Sequence, residues 1–323
     1  MKKSVFRKLV YLSLAVVLYS CNSDGNAPKE KHDFTIAILA KKELPYRTDS
    51  IIKNEQFLLN TSYSAKYKDG NGIPLFMKDN KKHYNPVGIS QIGLDYMNKY
   101  DDTKNKLYID SAAQYAKCLL NIATTSDDAL WFPYTFNFNL HDFKDQTMAA
   151  PWYSAMAQGQ ALSLFVRLYE ATGNKTYSQS ADKIFASFTI VKNDSHPWVI
   201  LYDDKHALWL EEYPMDEPEQ ALNGFIFAIF GIYDYYRIHP DRAYVKHILV
   251  NSISTIYNNI HKFEKKDEYS YYCLKHQVRD RNYHYAHIYQ LKILYNITNE
   301  PYFLQMANNF WEDGKVFEKK EHH

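Results

Sequence analysis

Apolar residues recur along most of the chain at the three-to-four-residue spacing of a single helix face. Leu107, Ala112, Tyr115, Leu119 and Ile122 form such a stripe between residues 107 and 123, with polar side chains between them. Ser154 to Thr172, Lys175 to Val191, Asn223 to Ile238, Arg242 to Phe263, Tyr283 to Ile297 and Pro301 to Phe317 read the same way. Gly173-Asn174 and His239-Pro240 punctuate them as helix stops. Helices paired along the chain and joined by short links predict an all-α fold, an α/α toroid or incomplete α/α barrel, over residues 87–323. The loops on one rim of such a barrel would gather motifs that are far apart in sequence.

A different pattern precedes the helices. Phe34 to Ala40 is short, apolar and partly β-branched, the best strand candidate. Lys66 to Pro86 is rich in Lys, Asp, Asn and Gly, and Asp69-Gly70 and Asn71-Gly72 mark turns, so a loop with a hairpin is expected. Residues 34–86 thus form a short N-terminal strand and loop segment.

The first twenty residues read as an export signal. Lys2, Lys3, Arg7 and Lys8 lead an apolar run from Leu9 to Leu18, too short for a comfortable membrane span. Leu18-Tyr19-Ser20-Cys21 resembles the bacterial lipoprotein signal, in which Cys21 becomes the acylated first residue and anchors the protein to the membrane of the cell envelope, facing the periplasm or the surface. Residues 21–33 are polar and read as a tether. About 290 residues remain, enough for one large domain. The net charge of +1 gives no global field to attract polyanions, so nucleic acid is not an expected partner and an anionic substrate requires a local basic patch. Tyrosine is abundant, with 29 in the chain, and its apolar face and polar tip suit sugar rings as well as cores. Cys118 and Cys273 are either buried thiols or a disulfide, and nothing in the chain resembles a metal finger. The oligomeric state is not legible.

The chemistry centres on Trp209-Leu210-Glu211-Glu212-Tyr213-Pro214. Two acids beside a tyrosine make a compact acid/base cluster, and Pro214 forbids the helix from running through it. A solvated acidic turn before a helix N-terminus would look the same. Three blocks together resolve the choice by resemblance: Trp209 to Tyr213 with Leu222-Asn223-Gly224-Phe225 and Gly231-Ile232-Tyr233-Asp234; Trp152-Tyr153-Ser154-Ala155-Met156-Ala157-Gln158-Gly159-Gln160-Ala161; and Tyr283-His284 with His287-Ile288 and Gln290-Leu291. They resemble, in order, the motifs of the glucuronyl C5-epimerases, which convert D-glucuronate to L-iduronate in heparan-type chains. By the same resemblance His83 to Leu94 opens the helical core, as a helix to about Tyr100, and the β-sandwich of the animal-type members is missing between Tyr100 and the next helix.

The resemblance implies a uronate-containing polysaccharide as partner and a C5 proton removed and returned on opposite ring faces, which needs two proton-transfer groups and a carboxylate clamp. Carried over by motif, Glu212 is one base, Tyr283 the opposing acid/base, and Tyr213 and Tyr272 hydrogen-bond donors. Lys275, Arg279 and Arg281 are the cations, Lys275 standing where the family has arginine, so that the bidentate fork is lost. Tyr283, His287 and Gln290 at i, i+4 and i+7 share a helix face suited to a polar site. Trp152, Gln158, Trp209 and Asn223 complete the substrate-binding set, with packing the alternative for Gln158 and capping for Asn223. Trp131-Phe132-Pro133-Tyr134, with Asn137, Asn139 and His141, resembles a sugar-lined loop. His284 and His287 lack a third ligand and the reaction needs none, so no metal is expected, and the resemblance implies no organic cofactor. The competing readings are a polysaccharide lyase, which expels the C4 substituent after removing the same proton, and a surface glycan-binding lipoprotein without catalysis.

Overall fold

The computed structural model describes residues 34–39, 66–143 and 146–321; the export signal, Cys21 and the tether lie outside them. Among the described residues there are eight α-helices: α1 (Pro86–Thr103), α2 (Leu107–Ile122), α3 (Ala155–Thr172), α4 (Lys175–Ala186), α5 (Leu222–Ile238), α6 (Ala243–Asn259), α7 (Arg281–Thr298) and α8 (Pro301–Glu321). The odd-numbered helices form an inner row, α1 on α3, α3 on α5 and α5 on α7, and each is backed by the even-numbered helix that follows it. This is the α/α toroid, and the alternation explains where a site must form. Each outer helix returns the chain to the same rim, so every inner helix starts there.

The sequence sets these ends locally. Asn85 caps α1, accepting from Gly88 N at 3.1 Å with Pro86 in the first turn. Asp280 caps α7 through Asn282 N and Tyr283 N, at 2.8 and 3.1 Å. Gly173 closes α3 with φ 68° and Asn174 reopens the chain as the cap of α4. Burial separates inner from outer helices. From Leu222 to Tyr236 every residue of α5 is buried, whereas α2 and α4 bury one stripe. The crossing of α3 on α5 works because Gly159 lies against the backbone of Ala228 and Gly231 against that of Gly159, and a side chain at either would overlap the opposite helix. The same pair of helices is tied by Arg167 Nε and Asp234 Oδ2 at 2.8 Å, both buried. Burial pushes the Asp234 carboxyl up, but Arg167, with Ser163 and Arg237, outweighs it and holds it below the usual range. Asp234 of the Gly231-Ile232-Tyr233-Asp234 block is therefore a packing residue.

Several expectations are corrected. Phe34 to Leu39 forms no strand; Ala37 N donates to Ile297 O at 2.8 Å, Tyr233 Oη donates to Ala37 O, and Phe34 packs on Tyr257 and Phe303, so helices rather than a sheet satisfy the segment. Ala40 lies outside the described residues. Leu107 is exposed, since the stripe of α2 starts at Ala112. The helix expected to reach Val191 stops at Ala186 and passes into a 3-10 turn, Ser187–Thr189. The hairpin between residues 66 and 86 is present, as β1 (Phe76–Lys78) and β2 (Lys81–His83), turning at Asp79 and Asn80 with φ 50° and 58°. Three further two-stranded pairings escape periodicity because each strand is only two or three residues long. These are β3 (Thr124–Ser126) with β4 (Ala129–Trp131), β5 (Phe138–Asn139) with β6 (Thr147–Met148), and β7 (Ile200–Tyr202) with β8 (Leu208–Leu210).

Candidate active site

The last hairpin delivers the acidic motif. Trp209 sits in β8, buried, its indole N–H on Asp203 Oδ2 at 3.0 Å and its ring against Phe225. Glu211 N then donates to Val199 O at 2.8 Å, and Glu211 O accepts from Ala155 N, the first amide of α3, at 2.9 Å. These bonds fasten the start of the Trp152–Ala161 block to the Glu211-Glu212 pair. Glu212 follows, 7% exposed. Its carboxylate lies against Gly224, where a Cβ would collide with it, and the Gly224 amide donates to it. Tyr272 Oη donates to Glu212 Oε2 at 3.0 Å, and the Tyr213 and Tyr272 hydroxyls are 2.9 Å apart. Tyr272 is itself held by its backbone, with Leu222 N on its carbonyl at 2.9 Å and its own amide on Val278 O at 2.7 Å. The ring of Tyr283, in the first turn of α7, lies 4.6 Å from that of Tyr272. Glu212, Tyr213, Tyr272 and Tyr283 are therefore one contiguous cluster, drawn from the loops before α5 and α7 and the first turn of α7.

Burial sets the electrostatics. It pushes the Glu212 carboxyl up to about 7, although hydrogen bonds from Tyr213, Tyr272 and the Gly224 amide pull the other way. Glu211 is pushed further, to about 8, by burial. Burial, then the neighbouring Glu212, holds the phenols of Tyr213 and Tyr272 well above 10, so both keep their protons and act as donors. Tyr283 differs in being 40% exposed, the solvent-facing member of the cluster.

A cleft of about 870 Å³ begins one residue beyond Tyr213 and is lined by Gln146 to Ala149, Pro151 to Tyr153, Asp194 to Trp198, Pro214 to Glu217 and Lys275; the four residues of the cluster are not in its lining. A wall of rings leads from Tyr213 towards it: Phe138 lies 6.0 Å from Tyr213 and 5.8 Å from Trp152, which stacks on Tyr134 at 3.9 Å. Lys275 Nζ reaches Gln146 Oε1 at 3.1 Å and Glu217 Oε2 at 2.9 Å. Of the residues expected to bind substrate, Trp152 and Lys275 therefore line the cleft.

The other residues expected to bind substrate are engaged by protein groups. Gln158 is fully buried and its amide is engaged by Phe132 N, Leu130 O and Ser187 Oγ at 3.0, 2.8 and 2.9 Å. Gln290 is buried on Asn223 O at 2.9 Å, and Asn223 is itself buried within the first turn of α5, whose N-cap is Ala221. His287 is buried with Nδ1 on Ser270 Oγ at 2.9 Å, and desolvation holds it neutral, well below its ordinary value. The polar face expected from Tyr283, His287 and Gln290 is absent because α7 is an inner helix covered by both α5 and α8. His284 turns Nδ1 to Ser270 as well, so the two histidines share a serine. Arg279 pairs with Glu268, and Arg281 with Glu318 at 2.9 Å, each guanidinium having a carboxylate of its own. Trp131 and Phe132 are core residues, while Asn137 and Asn139 accept from Ala150 N and Thr147 Oγ1. Trp209 is structural. Cys118 and Cys273 are unpaired buried thiols.

Sequence reasoning missed a second cluster behind Tyr272. His141, Glu219, Cys273 and His276 converge there, and only the Cys273–His276 spacing offers a local signal. The ring of His141 meets that of Tyr272 edge-on at 5.6 Å.

A family model described as D-glucuronyl C5-epimerase C-terminus matches residues 126–312, which contain every residue of the Glu212 cluster. A D-glucuronyl C5-epimerase of Caenorhabditis elegans is 34% identical over 83 residues, covering 26% of this chain and 13% of the relative. An uncharacterized protein of Methanocaldococcus jannaschii is 28% identical over 184 residues, covering 55% of this chain and 56% of the relative. The chain thus spans less than two thirds of these relatives. Among solved structures, a sugar epimerase from a ruminal bacterium superposes with TM-score 0.53 at 12% identity, over 75% of this chain and 61% of that one. The cellobiose 2-epimerase of Bacillus thermoamylovorans gives 0.51 at 16%, again over 75% and 61%. At these identities the likeness is one of architecture.

Proposed function

This chain belongs to the D-glucuronyl C5-epimerase C-terminus family, and from that premise we propose that it is a carbohydrate epimerase that inverts C5 of D-glucuronate units in a polysaccharide. The observation that carries the reading is the Glu212 carboxylate, buried yet hydrogen-bonded by Tyr272 and held near neutrality. A base with that poise both accepts and returns a proton at working pH.

In this mechanism the Glu212 carboxylate takes the C5 proton and becomes a carboxylic acid. The electron pair left on C5 spreads into the sugar's own carboxylate, whose growing charge is met by the Tyr213 and Tyr272 hydroxyls and by the Lys275 ammonium. The Tyr283 phenol gives its proton to the opposite face of C5. The phenolate recovers a proton from water, which its exposure permits, and Glu212 releases its proton to complete the cycle. Lysine makes a weaker carboxylate clamp than a bidentate arginine; all three cations have carboxylate partners, Glu268, Glu318 and, for Lys275, the exposed Glu217, but Lys275 is the one that lines the cleft, so the clamp rests on it. Trp152 at the cleft wall offers a face for a sugar ring. The same reading has the chain exported and anchored through Cys21, meeting its polymer outside the cytoplasm.

The test is incubation with heparosan and other glucuronate polymers in heavy water, followed by proton NMR. Deuterium at C5 with iduronate signals is the expected outcome. Unsaturated chain ends would assign a lyase instead, and binding without exchange a glycan-binding protein.

A further inference from the structure

Behind Tyr272, one potential ligand atom from each of His141, Glu219, Cys273 and His276 lies within 4.8 Å of all the others. His141 Nε2 is 3.0 Å from Glu219 Oε1 and 3.5 Å from Cys273 Sγ, and His276 Nδ1 is 2.7 Å from Glu219 Oε2. The residues come from three segments that the fold brings together. Glu219 lies in the loop before α5, and Cys273 and His276 belong to the loop before α7. His141 sits in the 3-10 turn Leu140–Asp142, with φ 52°. The first two segments are joined by the bridge between Ala221 and Cys273 and by Lys275 N on Glu219 O at 3.4 Å.

Glu219 has a fully buried side chain. A carboxylate in that position requires a compensating positive charge, and the groups paired with it are two imidazoles. Imidazoles meet the requirement either as cations or by holding a metal ion between them and the carboxylate. The Cys273 thiol in the same cluster is only a weak donor to Glu219 while protonated, whereas as a thiolate it is a preferred ligand of borderline-soft ions, which favours the metal. Tetrahedral zinc, with bonds of about 2.0–2.3 Å, separates its ligand atoms by about 3.3–3.8 Å. The observed spacings reach that range with small rotations of the side chains.

We infer that His141, Glu219, Cys273 and His276 bind a divalent transition ion of the zinc class. All four positions of a tetrahedron would come from protein, as in a structural rather than a catalytic centre. On binding, the Cys273 thiol loses its proton to solvent and its thiolate joins the ion, with no change of oxidation state. The metal clamps the His141 turn to the two loops that carry the candidate active site, and Tyr272, one residue from Cys273 and edge-on to His141, is positioned by it. Hard ions such as calcium and magnesium are excluded by the donor set. The inference is independent of the reaction proposed above.

The test uses the full chain, stripped with chelator, reloaded with zinc or cobalt and freed of excess metal. About one zinc per chain is expected by mass spectrometry of the elements, with a thermal midpoint that falls on stripping and recovers on reloading. The cobalt form should show a thiolate-to-cobalt charge-transfer band and the intense visible bands of tetrahedral cobalt. Cys118→Ser should retain both and Cys273→Ser should lose the charge-transfer band. Absence of that band in the cobalt-saturated wild type overturns the site whether or not the variants fold. Metal retention equal to that of the wild type in both Cys273→Ser and His276→Ala overturns it as well, by showing that the ion binds elsewhere.

Discussion

Gly224 stands directly against the carboxylate of Glu212, so the space in which the candidate base sits exists because residue 224 has no side chain. Gly224→Ala is expected to push Glu212 off its hydrogen bonds. A displacement of about 1 Å costs on the order of a hundredfold in rate, and the added methyl about 1–3 kcal/mol in stability. Turnover and thermal midpoint measured on the same variant check both, with the rate falling far more than the stability.

Glu212 must be ionised to accept a proton, and burial places its carboxyl at about 7. Epimerase activity should therefore fall as pH drops below about 7, approaching tenfold per unit on the acid side. Glu212→Gln should abolish C5 exchange at every pH while leaving the circular dichroism spectrum unchanged.

Removing the Tyr272 hydroxyl takes away a donor that stabilises the charged form of Glu212. In Tyr272→Phe the acid limb of the pH profile should move to higher pH. A uniform loss of rate with an unmoved limb would mean that Tyr272 acts on substrate alone.

Glu211 bears on stability. Its carboxyl is raised from 4.5 to about 8 by burial, so the folded state holds a proton that the unfolded chain has released. The stability this contributes is complete below about 4.5 and is lost as pH rises through about 8. Glu211→Gln, which stays neutral, should gain on the wild type by a few kcal/mol across that window. Urea denaturation at acidic and alkaline pH measures the difference.

Across the α3–α5 crossing, Arg167→Leu leaves Asp234 buried beside a lost partner. A loss of about 3–5 kcal/mol is expected, read as a lower urea midpoint. The double variant Arg167→Leu with Asp234→Leu should recover much of it.

The helices were legible because their signals are local. The stripe of α2 and the Gly173 stop act over three or four residues, and the helices read from periodicity lie close to where it puts them. The short strands carry no such signal, yet β7 and β8 are what aim Glu211 and Glu212.

The chemical types at the site are written in the chain as well: a carboxylate in Trp209–Pro214, phenols in the later blocks and glycines where backbones meet. What packing alone decided is which of these groups meet and which are covered. Tyr272 touches both Glu212 and Tyr283, whereas His287 and Gln290, which share a helix face with Tyr283, are sealed between α5 and α8. Helical spacing assigns a residue to a face but not what lies against that face. Glu219 is 78 residues from His141 and 57 from His276, so their meeting depends on how the loops of the toroid close, which no short-range pattern encodes.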